Sequence, residues 1–275
     1  MSSVRDLLRA RPDGSPLLPR IDPTAHPGIG GKRDARRELE ATAQRLAALQ
    51  VRLHAEHTRS VLVVLQGMDT SGKSGTISHV FRGVNPSGLR AVAFKQPTEE
   101  ERSHHFLWRI ERHLPAPGQI AIFDRSHYED VVVVRVRELV PEAGWRGRYD
   151  EITAWERSVA ASGTAIVKVY LHISYDEQRE RLLARLEDPD KHWKFQEGDI
   201  EARRAWTDYL AAYEDAIARC HTEVAPWYIV PADRKWYRNW AVERLVVETL
   251  EAMDPRLPRP PLDVAALRKR LAPPN

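Results

Sequence analysis

Ser60-Val-Leu-Val-Val-Leu-Gln66 followed by Gly67-Met-Asp-Thr-Ser-Gly72-Lys73-Ser74 is the stretch that decides the fold. The first part is short, apolar and rich in β-branched residues, as expected of a strand buried on both faces. The second part matches G-x-x-x-x-G-K-[ST] at every fixed position, and residues 75–77 continue it as a helix. This context predicts a phosphate-binding loop between a buried strand and a helix, rather than a chance match in a turn.

The fixed residues of this loop have a clear chemistry. Its glycines let the backbone curl so that N–H groups point at phosphate oxygens, and the helix N-terminus adds partial positive charge. Lys73 supplies a full positive charge, and the Ser74 hydroxyl can reach a metal or a phosphate. The loop residues predicted to bind substrate are Gly67, Thr70, Gly72, Ser74 and Gly75.

Two carboxylates are candidate metal ligands. Asp69 lies inside the loop, where a carboxylate would repel a phosphate. A carboxylate at this position is favourable if it holds Mg²⁺ against the phosphates. The alternative is that Asp69 caps the loop. Asp124 ends the apolar run Gln119-Ile-Ala-Ile-Phe-Asp124, which has the form of a Walker B segment, although it could instead cap a helix. Because strand ends at one edge of a parallel sheet meet at the ligand crevice, we expect Asp124 near Asp69 and Lys73.

Further charges flank these carboxylates. Arg125 follows the Walker B carboxylate directly and can reach a phosphate. Glu129 and Asp130 begin a helix and could simply serve its dipole. Lys95, in Phe94-Lys-Gln-Pro97 at the end of the second predicted strand, is either a phosphate partner or a solvated lysine.

Residues 176–204 combine basic and aromatic side chains with a proline break. Arg181 and Arg185 are four residues apart and share one helix face. Pro189 then ends the helix, and His192-Trp-Lys194-Phe195 follows. Such a segment is typical of a lid that excludes water and brings arginine to the transferring phosphoryl group; a solvated charged helix is the alternative.

Strands and helices alternate along the rest of the chain, which predicts an α/β fold with a parallel sheet and helices on both faces. Strands are predicted over 60–66, 90–94, 119–123, 165–171 and 227–230. Helices are predicted over 33–57, 74–83, 99–113, 128–139, 149–162, 175–186, 200–220 and 234–253.

The two ends of the chain are rich in proline. Residues 1–31 hold five prolines and four glycines, so no regular structure is predicted there. We expect an extended arm at 1–32, one domain at 33–254, and a tail at 255–275 with a short basic helix around 262–271.

Charge and composition limit the function classes. Hydrophobic residues make up 42% and charged residues 29% of 275, as in ordinary globular proteins. A net charge of +3 does not predict bulk nucleic-acid binding. Of the basic residues, 34 are arginine and 8 are lysine; this excess suits bidentate phosphate contacts, or it reflects genome composition.

The sequence also predicts a cytoplasmic location. No apolar run reaches the roughly 18 residues of a membrane span, so no membrane partner is expected. Residues 1–10 lack the apolar region of a secretory signal. The single cysteine, Cys220, excludes an internal disulfide or a multi-cysteine zinc site and favours a reducing compartment.

Several motifs in one order resemble the polyphosphate kinase 2 family, over roughly residues 33–253. The pattern is most like the single-domain branch, class III, that phosphorylates AMP as well as ADP. The family pattern has Gly or Asp at the position of Ser74, so this departure makes the loop more like a standard nucleotide-binding loop. The motifs are Gly67-Met-Asp-Thr-Ser-Gly-Lys-Ser-Gly-Thr-Ile77, Gly83-Val-Asn-Pro-Ser-Gly88, Phe94-Lys-Gln-Pro97, Asp124-Arg-Ser-His-Tyr-Glu129, His192-Trp-Lys-Phe195 and Pro231-Ala-Asp-Arg-Lys-Trp-Tyr237.

The resemblance implies a P-loop kinase three-layer fold related to thymidylate kinase, with a five-stranded parallel sheet and a helical lid. It implies transfer between inorganic polyphosphate and AMP, ADP or ATP, and guanine nucleotides as further substrates. Mg²⁺ or Mn²⁺ is the implied cofactor, and a homo-oligomer (dimer or tetramer) the implied assembly. The phosphate loop would hold the polyphosphate and the nucleotide would occupy the acceptor side.

Roles follow from the resemblance by position. Asp69 and Asp124 would hold the metals, and either could orient or deprotonate the attacking oxygen. Lys73 and Arg125 would neutralise phosphate charge, and Lys95 would approach the acceptor phosphate. The lid cations would be Arg181, as a catalytic residue, with Arg185 and Lys194. Because polyphosphate is a long polyanion, we also expect arginines beyond the crevice to guide it, and Arg135 and Arg137 are the candidates.

Two other functions compete with this prediction. An ATP-dependent nucleotide kinase of the thymidylate-kinase type would have the same fold. A nucleotide-sensing or assembly module is not an enzyme and would not need Asp124 or the lid cations. Nucleic-acid processing is the most distant alternative, because neither a basic tract nor a helix-turn-helix is evident.

Overall fold

The structure is a computed structural model that describes residues 3–271, and a five-stranded sheet forms its centre. The spatial order is β2-β3-β1-β4-β5, and all neighbouring strands are parallel. The predicted α/β fold with a parallel five-stranded sheet is confirmed. Both ends of each predicted strand lie within one residue of the observed bounds. The strands are β1 (Ser60–Gln66), β2 (Leu89–Ala93), β3 (Ile120–Asp124), β4 (Thr164–His172) and β5 (Trp227–Pro231).

β1 lies in the middle of the sheet, and all seven of its residues are buried. Because successive side chains of a strand point to opposite faces, both faces of the sheet are covered. Leu65 of β1 is in register with Asp124 of β3, so the C-terminal ends of these strands lie side by side. The loop after β1 and the residues after β3 therefore share the edge at which parallel α/β sheets bind ligands.

Two groups of helices form the outer layers of a three-layer fold. The helices are α1 (Val4–Leu8), α2 (Lys32–Glu56), α3 (Lys73–Val80), α4 (Glu99–Ser103), α5 (Trp108–Glu111), α6 (Glu129–Val136), α7 (Glu142–Trp145), α8 (Arg148–Ala161), α9 (Tyr175–Leu186), α10 (Glu197–Arg204), α11 (Trp206–Cys220), α12 (Lys235–Met253) and α13 (Val264–Arg270). One group consists of α2, α3 and α12, which contacts β4 through α12. The other group consists of α6, α8 and α11, which contacts β4 through α8.

The N-terminal segment is more ordered than its composition predicts. The prediction that residues 1–31 lack regular structure is wrong at α1 and at the 3₁₀ turn Leu18–Arg20. α1 forms because the breakers begin only at Pro12, and Val4 and Leu8 are buried in the core. The backbone N–H of Ala10 also donates to the carbonyl of Trp227 at 2.8 Å, so this segment covers the β5 edge of the sheet.

Two helices predicted as continuous are each divided. In the predicted helix 99–113, His104 takes an extended conformation with ψ 169°, and its ring stacks on Trp108 with centroids 4.1 Å apart. The predicted helix 200–220 instead divides at Ala205, which ends α10 before α11 begins. These local turns depend on side-chain contacts that hydrophobic periodicity does not record.

The C-terminal helix predicted around 262–271 is confirmed as α13. Residues 272–275 of the predicted tail, and residues 1–2 of the predicted arm, lie outside the described residues. The division into arm, domain and tail stays a prediction. Between residues 3 and 271, no helix combines the length and apolar character needed to cross a membrane.

Candidate active site

The loop between β1 and α3 has the backbone geometry of a phosphate cradle. Gly67 has φ 146° and Gly72 has φ 99°, conformations that residues with a side chain rarely adopt. A Cβ atom on Gly72 would also lie 1.7 Å from Nη1 of Arg238. α3 begins directly afterwards, and the first N–H groups of a helix have no intrahelical partner and can bind an anion. Gly75 lies in this first turn.

Lys73 lies at the meeting point of the loop and the end of β3. It is 8% exposed, and its ammonium donates to the carbonyls of Gly67 at 2.8 Å and Met68 at 3.3 Å. Burial lowers its pKa and the charge of Arg125 adds to this effect, while nearby carboxylates oppose it. Those carboxylates belong to Asp69, Asp124 and Glu129.

The structure brings the two predicted metal ligands to the same loop. The hydroxyl of Ser74 donates to Oδ2 of Asp124 at 2.7 Å. On the other side of the lysine, Nη2 of Arg125 donates to Oδ1 of Asp69 at 2.8 Å. Burial would raise the pKa of Asp69, but the charges of Lys73 and Arg125 outweigh it and hold that pKa below its usual value.

Arg125 is held in a strained backbone conformation. Its φ is 66°, which costs a residue other than glycine about 1–3 kcal/mol. Its backbone N–H donates to the carbonyl of Leu65 at 3.0 Å, so the register of β1 with β3 maintains the strain. This conformation aims the guanidinium at Asp69 across the loop. Strain of this kind concentrates at functional sites.

Glu129 also belongs to this cluster. The sequence analysis gave it no role beyond a favourable interaction with the helix dipole. Its Oε2 lies 4.0 Å from Nε of Arg125, and its side chain is 17% exposed. Burial raises its pKa, although Arg125 and Lys73 act in the opposite direction. The spacing of four residues from Arg125 is the sequence signal for this contact.

A buried polar network supports the turn between Arg125 and Glu129. The ammonium of Lys168 donates to Glu156 and to the carbonyl of Cys220, both at 2.6 Å. The hydroxyl of Tyr128 donates to Glu156 at 2.8 Å, and Nε2 of His127 lies 3.3 Å from the same carboxylate. These four side chains have no exposed surface. The sequence analysis did not predict this network. Its signal in the sequence is Lys168, a lysine within an otherwise apolar strand.

Arg181 is committed to contacts within the protein. Its Nε donates to Glu177 at 2.7 Å, and its side chain is 9% exposed. Its two terminal nitrogens donate to four backbone carbonyls, so no N–H group remains for a phosphate. Its predicted role as a lid cation on the phosphoryl group is therefore at odds with its position behind the loop. The acceptors are the carbonyls of Thr70, Ser71, Ala232 and Asp233.

Arg185, one turn further along α9, has donors to spare. Its Nη1 donates to the carbonyl of Lys194 at 3.1 Å and to Asp199 at 3.4 Å. In the part of the chain that the structure describes, its Nε and Nη2 bond no acceptor. Its charge contributes to the lowered pKa of Asp69, so it lies close to the loop. The side chain of Lys194 is exposed and stacks over Trp193 instead.

The remaining predicted cations lie on other elements. Lys95 follows β2 at the same sheet edge and is exposed, and its carbonyl accepts from Arg109 at 3.0 Å. Arg135 donates to Asp215 of α11 at 2.5 Å and lies 5.1 Å from the ring of Trp145. The structure thus joins Arg135 to α7 and α11, not to the loop.

The donor set fits a cation that binds together with phosphates. Among residues 3–271, no group of three or more His, Cys, Asp or Glu side chains could hold a metal ion. The loop instead offers the separate carboxylates of Asp69 and Asp124, with the hydroxyl of Ser74 beside the second. Mg²⁺ favours such sites because it uses one or two carboxylates and completes its shell with water and substrate phosphates.

Comparison with known proteins gives consistent matches. The family model described as Polyphosphate kinase 2 matches residues 30–258. An AMP/ADP-polyphosphate phosphotransferase of Meiothermus ruber is 51% identical, over 92% of this chain and 95% of that one. An ADP-polyphosphate phosphotransferase of Rhodopseudomonas palustris is 43% identical, over 78% of each chain. The crystal structure of polyphosphate kinase 2 from Arthrobacter aurescens TC1 superposes with a TM-score of 0.94 at 44% identity, over 98% of this chain and 96% of that one.

Proposed function

The chain belongs to the polyphosphate kinase 2 family, and from that premise we propose that it transfers phosphoryl groups between inorganic polyphosphate and AMP or ADP. The observation that carries this proposal is the meeting of Lys73, Arg125 and Arg185 with the carboxylates of Asp69 and Asp124 at one loop. A site of this kind combines fixed positive charge for phosphates with oxygen ligands for a divalent cation.

The loop is the place for the phosphate donor. The N–H groups at the start of α3 and the ammonium of Lys73 bind the oxygens of a polyphosphate unit. Arg125 reaches the same space from the end of β3, and its bond to Asp69 fixes its direction. Arg185 approaches from α9 with unused N–H donors. Three cations from three elements thus surround the phosphoryl group that moves.

The acceptor lies toward the β2 side of the same edge. Lys95 is exposed there and is available to the phosphate of AMP or ADP. The attacking oxygen of that phosphate must lie in line with the bond that breaks, so positioning and electrostatic stabilisation supply most of the catalysis. Asp69 or Asp124 orients this oxygen or accepts its proton.

Mg²⁺ is the cofactor that the donor set fits. When bound, it neutralises charge on the transferring and leaving phosphate oxygens. Asp124, supported by Ser74, and Asp69 would hold it. Asp69 keeps a lowered pKa beside Lys73 and Arg125, so its carboxylate is available to a cation at neutral pH.

The test is product analysis with purified protein and Mg²⁺. Long-chain polyphosphate is incubated separately with AMP, ADP, GMP and GDP, and a parallel set replaces polyphosphate with ATP. Formation of ATP from AMP and polyphosphate would support both claims, that polyphosphate is the donor and that AMP as well as ADP is an acceptor. Formation of ATP from ADP but not from AMP would support polyphosphate as the donor and limit the acceptors to nucleoside diphosphates.

The main alternative, an ATP-dependent nucleotide kinase, gives the opposite result. Turnover with ATP as donor and none with polyphosphate would overturn the proposal and support the ATP-dependent nucleotide kinase. Use of guanine nucleotides, assembly as a dimer or tetramer, and a cytoplasmic location stay predictions. Size-exclusion chromatography with light scattering tests the assembly.

A further inference from the structure

Arg181 joins three segments that are far apart in the sequence. From α9 its Nη1 reaches the carbonyls of Thr70 at 2.9 Å and Ser71 at 3.1 Å in the loop. Its Nη2 reaches the carbonyls of Ala232 at 2.6 Å and Asp233 at 3.0 Å after β5. The planar guanidinium can hold all four oxygens at once, which an ammonium cannot.

One of these bonds fixes the direction of a loop N–H group, that of Gly72. In a planar trans peptide the C=O and the following N–H point in opposite directions. The carbonyl of Ser71 is held from behind by Arg181 and also by Nη1 of Arg238 at 3.3 Å. The N–H of Gly72 in the same peptide therefore points to the other side, where a phosphate would bind.

The same bonds stabilise a strained residue. Thr70 has φ 66°, a conformation that costs a residue with a side chain about 1–3 kcal/mol. Its carbonyl is one of the two loop oxygens that Arg181 holds. Without that hydrogen bond, the strain at Thr70 favours a different loop conformation.

Two cations, Arg181 and Arg238, bond the carbonyl of Ser71. Arg238 is buried against Gly72, and it also bonds Oδ1 of Asn239. Burial lowers its pKa to about 10, and the charge of Arg181 acts in the same direction, so Arg238 stays protonated at neutral pH. Both guanidiniums add positive potential at the loop without contacting its cradle side.

We propose that Arg181 is a positioning residue for the phosphate donor: it holds the carbonyls of Thr70 and Ser71 so that the N–H of Gly72 faces the polyphosphate. The inference rests on the proposed function only in assigning polyphosphate to the loop. It assigns different roles to two arginines on one helix face. Arg181 holds carbonyls of the loop, whereas Arg185 offers N–H donors to the phosphoryl group.

The test compares Arg181→Lys and Arg181→Met with Arg179→Met. Arg179 is an exposed arginine of the same helix, and among residues 3–271 its side chain bonds only Glu180. Calorimetry measures tripolyphosphate binding, and steady-state kinetics give KM for polyphosphate and for ADP. We expect both Arg181 variants to weaken tripolyphosphate binding and raise the polyphosphate KM by about 10- to 100-fold, by analogy with the loss of a residue that orients a metal ligand. The KM for ADP and all constants of Arg179→Met should stay at wild-type values.

A merely structural role gives a different pattern. If Arg181→Lys keeps wild-type tripolyphosphate binding, or if both KM values rise together with a large loss of melting temperature, the inference is overturned. A wild-type protein that does not bind tripolyphosphate overturns it as well. Selective loss of tripolyphosphate binding in a protein without polyphosphate turnover supports the inference and counts against the proposed function alone.

Discussion

The hydroxyl of Ser74 donates a 2.7 Å hydrogen bond to the carboxylate of Asp124, which ties the first turn of α3 to the end of β3. A loop hydroxyl beside a strand-end carboxylate is the pair that holds Mg²⁺ in P-loop enzymes. We expect Asp124→Asn to lower kcat for ATP formation from ADP and polyphosphate by about 1,000-fold or more, a barrier increase of at least about 4 kcal/mol. Steady-state kinetics at saturating Mg²⁺ measure this loss.

The matched control for that substitution is Asp208→Asn, an exposed carboxylate on α11. It should retain wild-type turnover, and both variants should keep the wild-type melting temperature. Near-normal turnover of Asp124→Asn would show that this carboxylate is not needed for the cation.

Arg185 and Arg135 make a direct comparison of two predicted phosphate-binding arginines. Within the described part of the chain, Nε and Nη2 of Arg185 bond no acceptor, whereas Arg135 is bonded to Asp215 and packs on Trp145. We expect Arg185→Met to lower kcat/KM by about 10- to 1,000-fold, less than the about 10³- to 10⁵-fold effect of an arginine finger, because Lys73 and Arg125 remain at the loop. Arg135→Met should cost less than about tenfold and act mainly on melting temperature. An equal or larger kinetic loss in Arg135→Met would mean that polyphosphate reaches α6.

The loop and the sheet edge could be predicted because their signals are local. The strand, the glycines and Lys73 occupy consecutive positions, and Asp124 ends its own apolar run. Parallel pairing then places both strand ends at one edge without further information. This explains why the sequence predicted the neighbourhood of Asp69 and Asp124 but not their partners.

Contacts between distant segments could not be predicted in the same way. The bonds of Arg181 to the loop join residues 110 and 111 positions apart, and from sequence alone that arginine resembles any lid cation. The order in α1 likewise depends on contacts that form only when Val4 and Leu8 meet the core. Periodicity identifies an element, whereas the acceptor of a particular side chain depends on packing.

Gly72 is predicted to be a loop position that does not tolerate a side chain. Its φ is 99°, and a Cβ atom would meet Nη1 of Arg238 at 1.7 Å. Gly72→Ala should lower the free energy of unfolding by about 2 kcal/mol or more, from backbone strain and this clash together. Urea denaturation measures the change.

Two controls isolate the cause of that loss. At Gly83 a Cβ atom would meet no atom of residues 3–271 within 4 Å, so Gly83→Ala should change the free energy of unfolding by less than about 0.5 kcal/mol. In an Arg238→Ala background the clash is gone, and the penalty of Gly72→Ala should fall to the part that positive φ imposes. An unchanged penalty in that background would exclude Arg238 as its source.

Glu243 of α12 predicts a pH dependence of stability. It is 2% exposed, and among residues 3–271 its Oε1 has no hydrogen-bond partner. Burial raises its pKa to about 7, although Arg82 and Arg244 act in the opposite direction. The folded state therefore binds this proton more tightly than the unfolded chain, so ionisation removes stability as the pH rises from about 4.5 to about 7.

Glutamine cannot ionise, so Glu243→Gln should avoid that loss. We expect the variant to exceed wild type in free energy of unfolding by about 1–3 kcal/mol at pH 8 and to match it at pH 4.5. Urea denaturation at the two pH values measures the difference, and Glu40→Gln on the exposed face of α2 should show none at either. A difference that is equal at both pH values would come from packing, and one that shrinks as the pH rises would contradict a raised pKa at Glu243.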